Sequence, residues 1–177
     1  MFLDLLRSRR SIRHYEDRPV EADKIDLLVE AALRSPSSRG FIPWSFVVVR
    51  ERETLAALAR AKPHGASFLA GAPLAVVICA DPSVSDVWVE DASIAALNLH
   101  LAATDLGLGS CWIQLRRRDH AEGGSCRDYV AEKLGLPEGM EVLAIMAIGH
   151  PREEKRSHPP ESLQQEKVSW ERFGQQR

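Results

Sequence analysis

A chain of 177 residues, 45% apolar and with 23 basic against 25 acidic side chains, is long enough for one globular domain with a real core. Its net charge of −2 excludes the broad electrostatic attraction on which general nucleic-acid or membrane-surface binding depends. Cys79, Cys111 and Cys126 are odd in number and far apart, which fits neither a disulfide framework nor a metal site and suits a reducing cytosol. The charged run Arg7–Arg13 follows too short an apolar start for a leader, and no apolar stretch reaches membrane-spanning length. A cytoplasmic location is therefore expected.

Phe2, Leu3, Leu5 and Leu6 predict a short first helix with one apolar side. It runs into Arg7–Ser8–Arg9–Arg10–Ser11–Ile12–Arg13, four arginines and two hydroxyls in seven residues. Arginine offers a fixed charge and a planar fork of donors that matches phosphate oxygens. The run is either an anchor for a phosphate monoester or a solvated basic helix end. Glu21–Arg34 reads as an amphipathic helix with Ile25, Leu28, Val29, Ala32 and Leu33 inward, stopped at Ser35–Pro36. The loop Ser37–Ser38–Arg39–Gly40–Phe41–Ile42–Pro43–Trp44 either meets a flat ligand or simply connects.

Phe46–Val49 is the first expected strand, followed by a helix over Glu51–Lys62 with Leu55, Leu58 and Ala59 inward. His64 sits in a turn, as a ligand contact or as a solvated side chain. Leu74–Ala80 is a second buried strand. Ala92–Ala103 is apolar nearly all round and predicts a buried central helix, with Ser83 and Asp86 as a capping-box start. Gly107–Leu108–Gly109 ends that helix, where glycine permits positive φ and close approach. A strand over 110–115 follows. Arg116–Arg118 are either an anion contact or solvated. Asp128–Leu134 fits a short helix, and Val142–Ile148 a last strand. The tail from Glu153 to Arg177 has no core pattern, yet carries Leu163, Val168, Trp170 and Phe173. Such a tail often lies along another subunit.

Four apolar strands among helices give an α/β or α+β layer fold. No dinucleotide glycine fingerprint and no P-loop is present.

Four segments, in order, carry a resemblance. They are Arg9–Arg10–Ser11–Ile12–Arg13, Ser35–Pro36–Ser37–Ser38 with Pro43–Trp44, Gly107–Leu108–Gly109–Ser110–Cys111–Trp112, and Ile148–Gly149–His150–Pro151. Together they span nearly the whole chain and resemble the nitroreductase family of FMN-dependent oxidoreductases. The resemblance implies an α+β sandwich with a central mixed sheet flanked by helices, working as an intertwined homodimer. It implies an FMN-binding domain over 1–152 and a tail over 153–177 that packs on the partner. By analogy Arg9, Arg10, Ser11 and Arg13 hold the flavin phosphate, joined by Lys155 and Arg156. The loop with Pro36, Ser37, Ser38 and Gly40 reaches the flavin from the other chain. The strand near Ile113 and Gln114 presents main-chain groups to the flavin ring.

The resemblance also implies ping-pong reduction of a nitroaromatic, quinone or similar small acceptor with NADH or NADPH as cosubstrate. No acid–base side chain is required, no metal is expected, and Cys111 reads as structural. Two departures stand out. Gly40 and Ile42 replace the Asn and Gln that many members carry before Pro-Trp, so side-chain hydrogen bonds from those positions are lost. The segment between Trp112 and the last strand is short, which leaves an open site and loose substrate choice. The alternatives are other chemistry on the same fold, such as dehalogenation or flavin destruction, a non-catalytic flavin-binding module, or an interaction protein without cofactor.

Overall fold

The computed structural model describes residues 1–177. In chain order it contains α1 (Phe2–Ser8), α2 (Ala22–Leu33), β1 (Trp44–Val49), α3 (Arg52–Leu58), β2 (Leu74–Ala80), α4 (Trp88–Asp105), β3 (Gly109–Gln114), α5 (Cys126–Leu134) and β4 (Glu141–Gly149). The strands form one sheet in the order β1–β2–β4–β3, with every neighbouring pair antiparallel. The sheet is mixed only through a parallel bridge from Ser11 to Ser110, at the free edge of β3. All four expected strands are present, and their ends move by two residues or fewer.

β2 is buried at every position, because helices cover both faces of the sheet. Ala75, Val77 and Cys79 point into one core with Leu55 and Leu58 of α3 and Val130 of α5. Leu74, Val76, Ile78 and Ala80 point into the other, against Leu28 of α2 and Ala92, Ala96, Leu99 and Ala103 of α4. This two-sided burial is why β2 and β4 read as unbroken apolar runs rather than alternating ones. The result is an α+β arrangement of helix, sheet and helix layers.

Several helix expectations need correction. α4 starts at Trp88, not at Ser83, because the Ser83 amide and hydroxyl both donate to Asp81 and close a local turn. Nor is α4 buried all round. Its alanine stripe lies on the sheet, while Ile94 and Leu97 on the opposite side are exposed. Leu33 of α2 was expected inward and is 58% exposed, as are most apolar side chains of α1. α3 stops at Leu58, and irregular turns replace its expected last turn. The glycine turn behaves as expected: Gly107 takes φ +71°, and Leu108 N–H returns to Ala103 O at 2.7 Å. α5 is closed at both ends, by the Ser125 hydroxyl accepting from Asp128 N–H and by Gly135 at φ +64°.

No helix is long and apolar enough to cross a membrane.

Candidate active site

The chain leaves α1 at Arg9, whose backbone turns to an extended conformation. The next residues lie along the free edge of β3, where Ile12 N–H donates to Ser110 O at 3.0 Å. This approach needs Gly109. A Cβ there would sit 2.7 Å from the Ile12 side chain. So the second glycine of Gly107–Leu108–Gly109 lets the basic segment dock on the sheet.

The segment after β4 meets it from the other side. Lys155 Nζ donates to Ser11 O at 2.7 Å, and the Arg10 guanidinium donates to Arg156 O. Arg9, Arg10, Ser11, Arg13, Lys155 and Arg156 are therefore brought together from both ends of the chain. Glu153 joins them. Its carboxylate accepts from Arg13 N–H at 2.6 Å and from His14 N–H at 3.3 Å, and lies 3.1 Å from Lys155 Nζ. Desolvation works against its ionisation, but these N–H groups and the ammonium outweigh that and hold its carboxyl below the usual range. An anion thus already rests on main-chain N–H groups and a lysine in this segment. The arginine side chains around these donors, not the donors that Glu153 already occupies, are the groups whose chemistry suits the oxygens of a phosphate monoester.

Arg9 is oriented from below. Its Nη1 lies 3.0 Å from His100 Nε2, and His100 Nδ1 is hydrogen-bonded to Ser110 Oγ. Burial, then the nearby Arg9 charge, push the His100 pKa down to about 4, so the ring is neutral at pH 7.

The loop with Pro36, Ser37, Ser38 and Gly40 docks on the start of α4 instead. Ser38 N–H donates to Asp91 Oδ1 at 2.8 Å, Ser85 Oγ–H to Asp91 Oδ2 at 3.1 Å, and Asn98 Nδ2–H to Ser35 Oγ at 2.9 Å. Within and just after a single short helical turn over Ser38–Gly40, Arg39, Gly40 and Ile42 take φ +52°, +70° and +51°. No hydrogen bond joins this loop to the Arg9–Arg13 segment within one chain. Their anchors on α4, Asp91 and His100, are nine residues apart, roughly 13 Å along the helix.

Ile113 is fully buried, so its side chain belongs to the core. Gln114 is half-buried. Its amide bridges the Trp112 indole and Arg116 O, while its main-chain oxygen accepts from Lys62 Nζ at 3.2 Å. Only the main chain of Ile113 is thus left to meet a ligand. Lys62 also lines a groove of about 570 Å³ with Arg60, His120, Tyr129 and Lys133. His120 stacks on Tyr129 at 4.2 Å. A smaller concavity of about 390 Å³ lies between Arg13, Phe68 and Arg152.

Arg116 lies over the Trp88 ring, and Arg117 and Arg118 are exposed beside it, away from the cluster. His64 is exposed as well. Burial pushes the Cys111 thiol pKa up, in keeping with a structural cysteine. His100, Ser110, Asp91 and Glu153 were not singled out from the sequence as site residues.

A family model described as the nitroreductase family matches residues 6–65 and 57–150. The chain belongs to the nitroreductase family. A relative from Archaeoglobus fulgidus is 38% identical over 157 residues, spanning 86% of this chain and 87% of that one. It carries a provisional name as an NADH dehydrogenase/NAD(P)H nitroreductase. A solved structure from Clostridium difficile, titled an FMN-dependent nitroreductase, superposes with a TM-score of 0.95 at 44% identity. That match covers 97% of this chain and 99% of the other. The nitroreductase family and its α+β fold were both legible in the four sequence segments.

Proposed function

We propose that this nitroreductase-family chain is an FMN-dependent oxidoreductase. It draws on NADH or NADPH and reduces nitroaromatics, quinones or similar acceptors in a ping-pong cycle. The observation that carries the reading is the gathering of Arg9, Arg10, Ser11 and Arg13 with Lys155 and Arg156 from the far end of the chain, through Lys155 on the Ser11 main-chain oxygen and Arg10 on that of Arg156. The names of the two relatives support the cofactor and the reductant.

When bound, FMN would carry electrons from the nicotinamide to the acceptor. The chain's own residues bind and orient. Arg9, Arg10, Arg13, Lys155 and Arg156 neutralise the phosphate charge, and Ser11 adds a hydroxyl. The edge of β3 at Ile113 contributes main-chain groups. No side chain need move a proton.

The loop carrying Pro36, Ser37, Ser38 and Gly40 serves the site of a second copy, so the working form is a homodimer. Phe2, Leu3 and Leu6 on α1, and Ile94 and Leu97 on α4, are apolar and exposed in one chain, which supports a partner over them. Residues 157–177 make no hydrogen bond outside their own segment. Leu163, Val168, Trp170 and Phe173 stand exposed along them. This tail clasps the partner, and the enzyme works in the cytoplasm.

The test combines three readouts. Changing Arg9 and Ser11 to alanine lowers FMN retention while the fold survives; unchanged FMN content removes the phosphate assignment. Double-reciprocal plots with NADPH and a quinone give parallel lines, whereas intersecting lines reject the ping-pong cycle. Truncation before Glu161 shifts sedimentation toward monomer, and an unaltered profile rejects the clasp.

A further inference from the structure

We propose that His100 is a positioning residue for FMN binding, acting by holding the Arg9 guanidinium in place; this rests on the assignment of Arg9 to the flavin phosphate. The argument starts from donor inventory. A guanidinium has only donors, so His100 Nε2, 3.0 Å from Arg9 Nη1, must present its lone pair. The ring proton then sits on Nδ1 and is donated to Ser110 Oγ. The neighbours thereby fix one tautomer of the neutral ring. His100 and Ser110 are only 9% and 1% exposed, so water competes little for either bond.

Two features make this more than packing. Arg9 has no carboxylate within ion-pair distance, unlike Arg7, Arg18, Arg34, Arg52 and Arg127. A carboxylate partner would orient Arg9 but cancel its charge. A neutral imidazole orients it through one N–H and leaves the charge and the remaining donors for an incoming anion. The second feature is the pivot. Ser110 accepts from His100 through its side chain and receives the Ser11–Ile12 segment through its main chain. One residue of β3 therefore sets the register of Ser11 and, through His100, the direction of Arg9.

The experiment measures FMN dissociation constants by flavin fluorescence for wild type, Arg9→Ala, His100→Phe, His100→Gln and the double variant Arg9→Ala/His100→Phe. His100→Phe keeps an aromatic ring but loses the acceptor, and weakens FMN about tenfold, the size of one hydrogen bond to a charged group. His100→Gln places an amide oxygen within reach of Arg9 and restores most of the affinity. In the Arg9→Ala background His100→Phe has no further effect. If His100→Phe does not fold, His100→Asn, too short to reach Arg9, takes its place. Unchanged affinity in His100→Phe beside weakened affinity in Arg9→Ala overturns the role of His100. Full additivity in the double variant overturns it as well. Unchanged affinity in Arg9→Ala removes instead the phosphate assignment on which the inference stands.

Discussion

Lys155 Nζ lies 2.7 Å from the main-chain oxygen of Ser11, 144 positions away in the chain. This bond, with the Glu153 carboxylate on the amides of Arg13 and His14, clamps the two ends of the domain at one point. Lys155→Ala should weaken FMN binding about tenfold, since it removes one charge-assisted contact to the phosphate. The cost in stability should be about 1–2 kcal/mol, because the part-buried bond to Ser11 O is lost together with the partly exposed Glu153 pair. FMN titration and thermal melting on the same sample separate the two effects.

Asp91 is buried and receives two donors, Ser38 N–H and Ser85 Oγ–H. Asp91→Ala strands both, and a drop of about 2 kcal/mol or more in unfolding free energy is expected by urea denaturation. Asp91→Asn keeps one acceptor oxygen and should fall between. FMN affinity should decline with both, because the 37–42 loop loses its tie to α4.

Ile42 is a β-branched residue at φ +51° with a 59% exposed side chain. Its side chain offers little packing in one chain to offset the strain of the left-handed region. Ile42→Asn should raise stability by about 1 kcal/mol, since asparagine tolerates this conformation. A lower urea midpoint in the variant would show that Ile42 is held by contacts beyond the single chain.

Gly109→Ala drives a methyl into Ile12 at 2.7 Å, and an alanine at Gly149 would meet Pro73 at 2.5 Å. Overpacking of this kind costs about 1–3 kcal/mol. Gly109→Ala should also release FMN, because it displaces the segment that carries Ser11, whereas Gly107→Ala meets no atom within 4 Å and only strains φ. Comparing the melting temperatures and bound flavin of these three variants tests the docking account.

Much of this architecture was legible from residue type alone. The unbroken aliphatic runs of β2 and β4 cover two packed faces, and α5 ends before Gly135 as its glycine signals, although it starts at Cys126 under a Ser125 cap, two residues ahead of the expected Asp128. The start of α4 was misread because Ser83 and Asp86 imitate a capping box, while Ser83 in fact serves Asp81. Leu33 is exposed although it fits the helical period, and Ile94 and Leu97 are exposed although α4 is apolar nearly all round, because apolar character does not say what covers it. Around the candidate site, the arginine and serine run stands out because its residues are adjacent in the chain. His100 pairs with Arg9 across 91 residues and Glu153 with Arg13 across 140, and no single-sequence pattern encodes such pairs. Asp91 is the exception, since an acid in the first turn of a helix is a visible signal once the true start of α4 is known.

His100 also predicts a pH dependence. Its pKa is about 4 in the fold against 6.5 for the free side chain. Between these values the unfolded chain binds a proton that the folded chain refuses, so stability rises with pH across that window. The contribution is complete above about 6.5 and is lost as pH falls toward 4, on the order of 3 kcal/mol in all. His100→Gln should flatten the curve of unfolding free energy between pH 4 and 6.5; an unchanged slope would show that His100 is not the titrating group.

The central claim is a reducible flavin held by the arginine cluster. It is tested most directly by the visible absorbance of the purified protein, recorded without air before and after adding NADH or NADPH. The account predicts oxidised-flavin bands, present on purification or after adding FMN, that bleach with the nicotinamide. A colourless protein that takes up no FMN would contradict it.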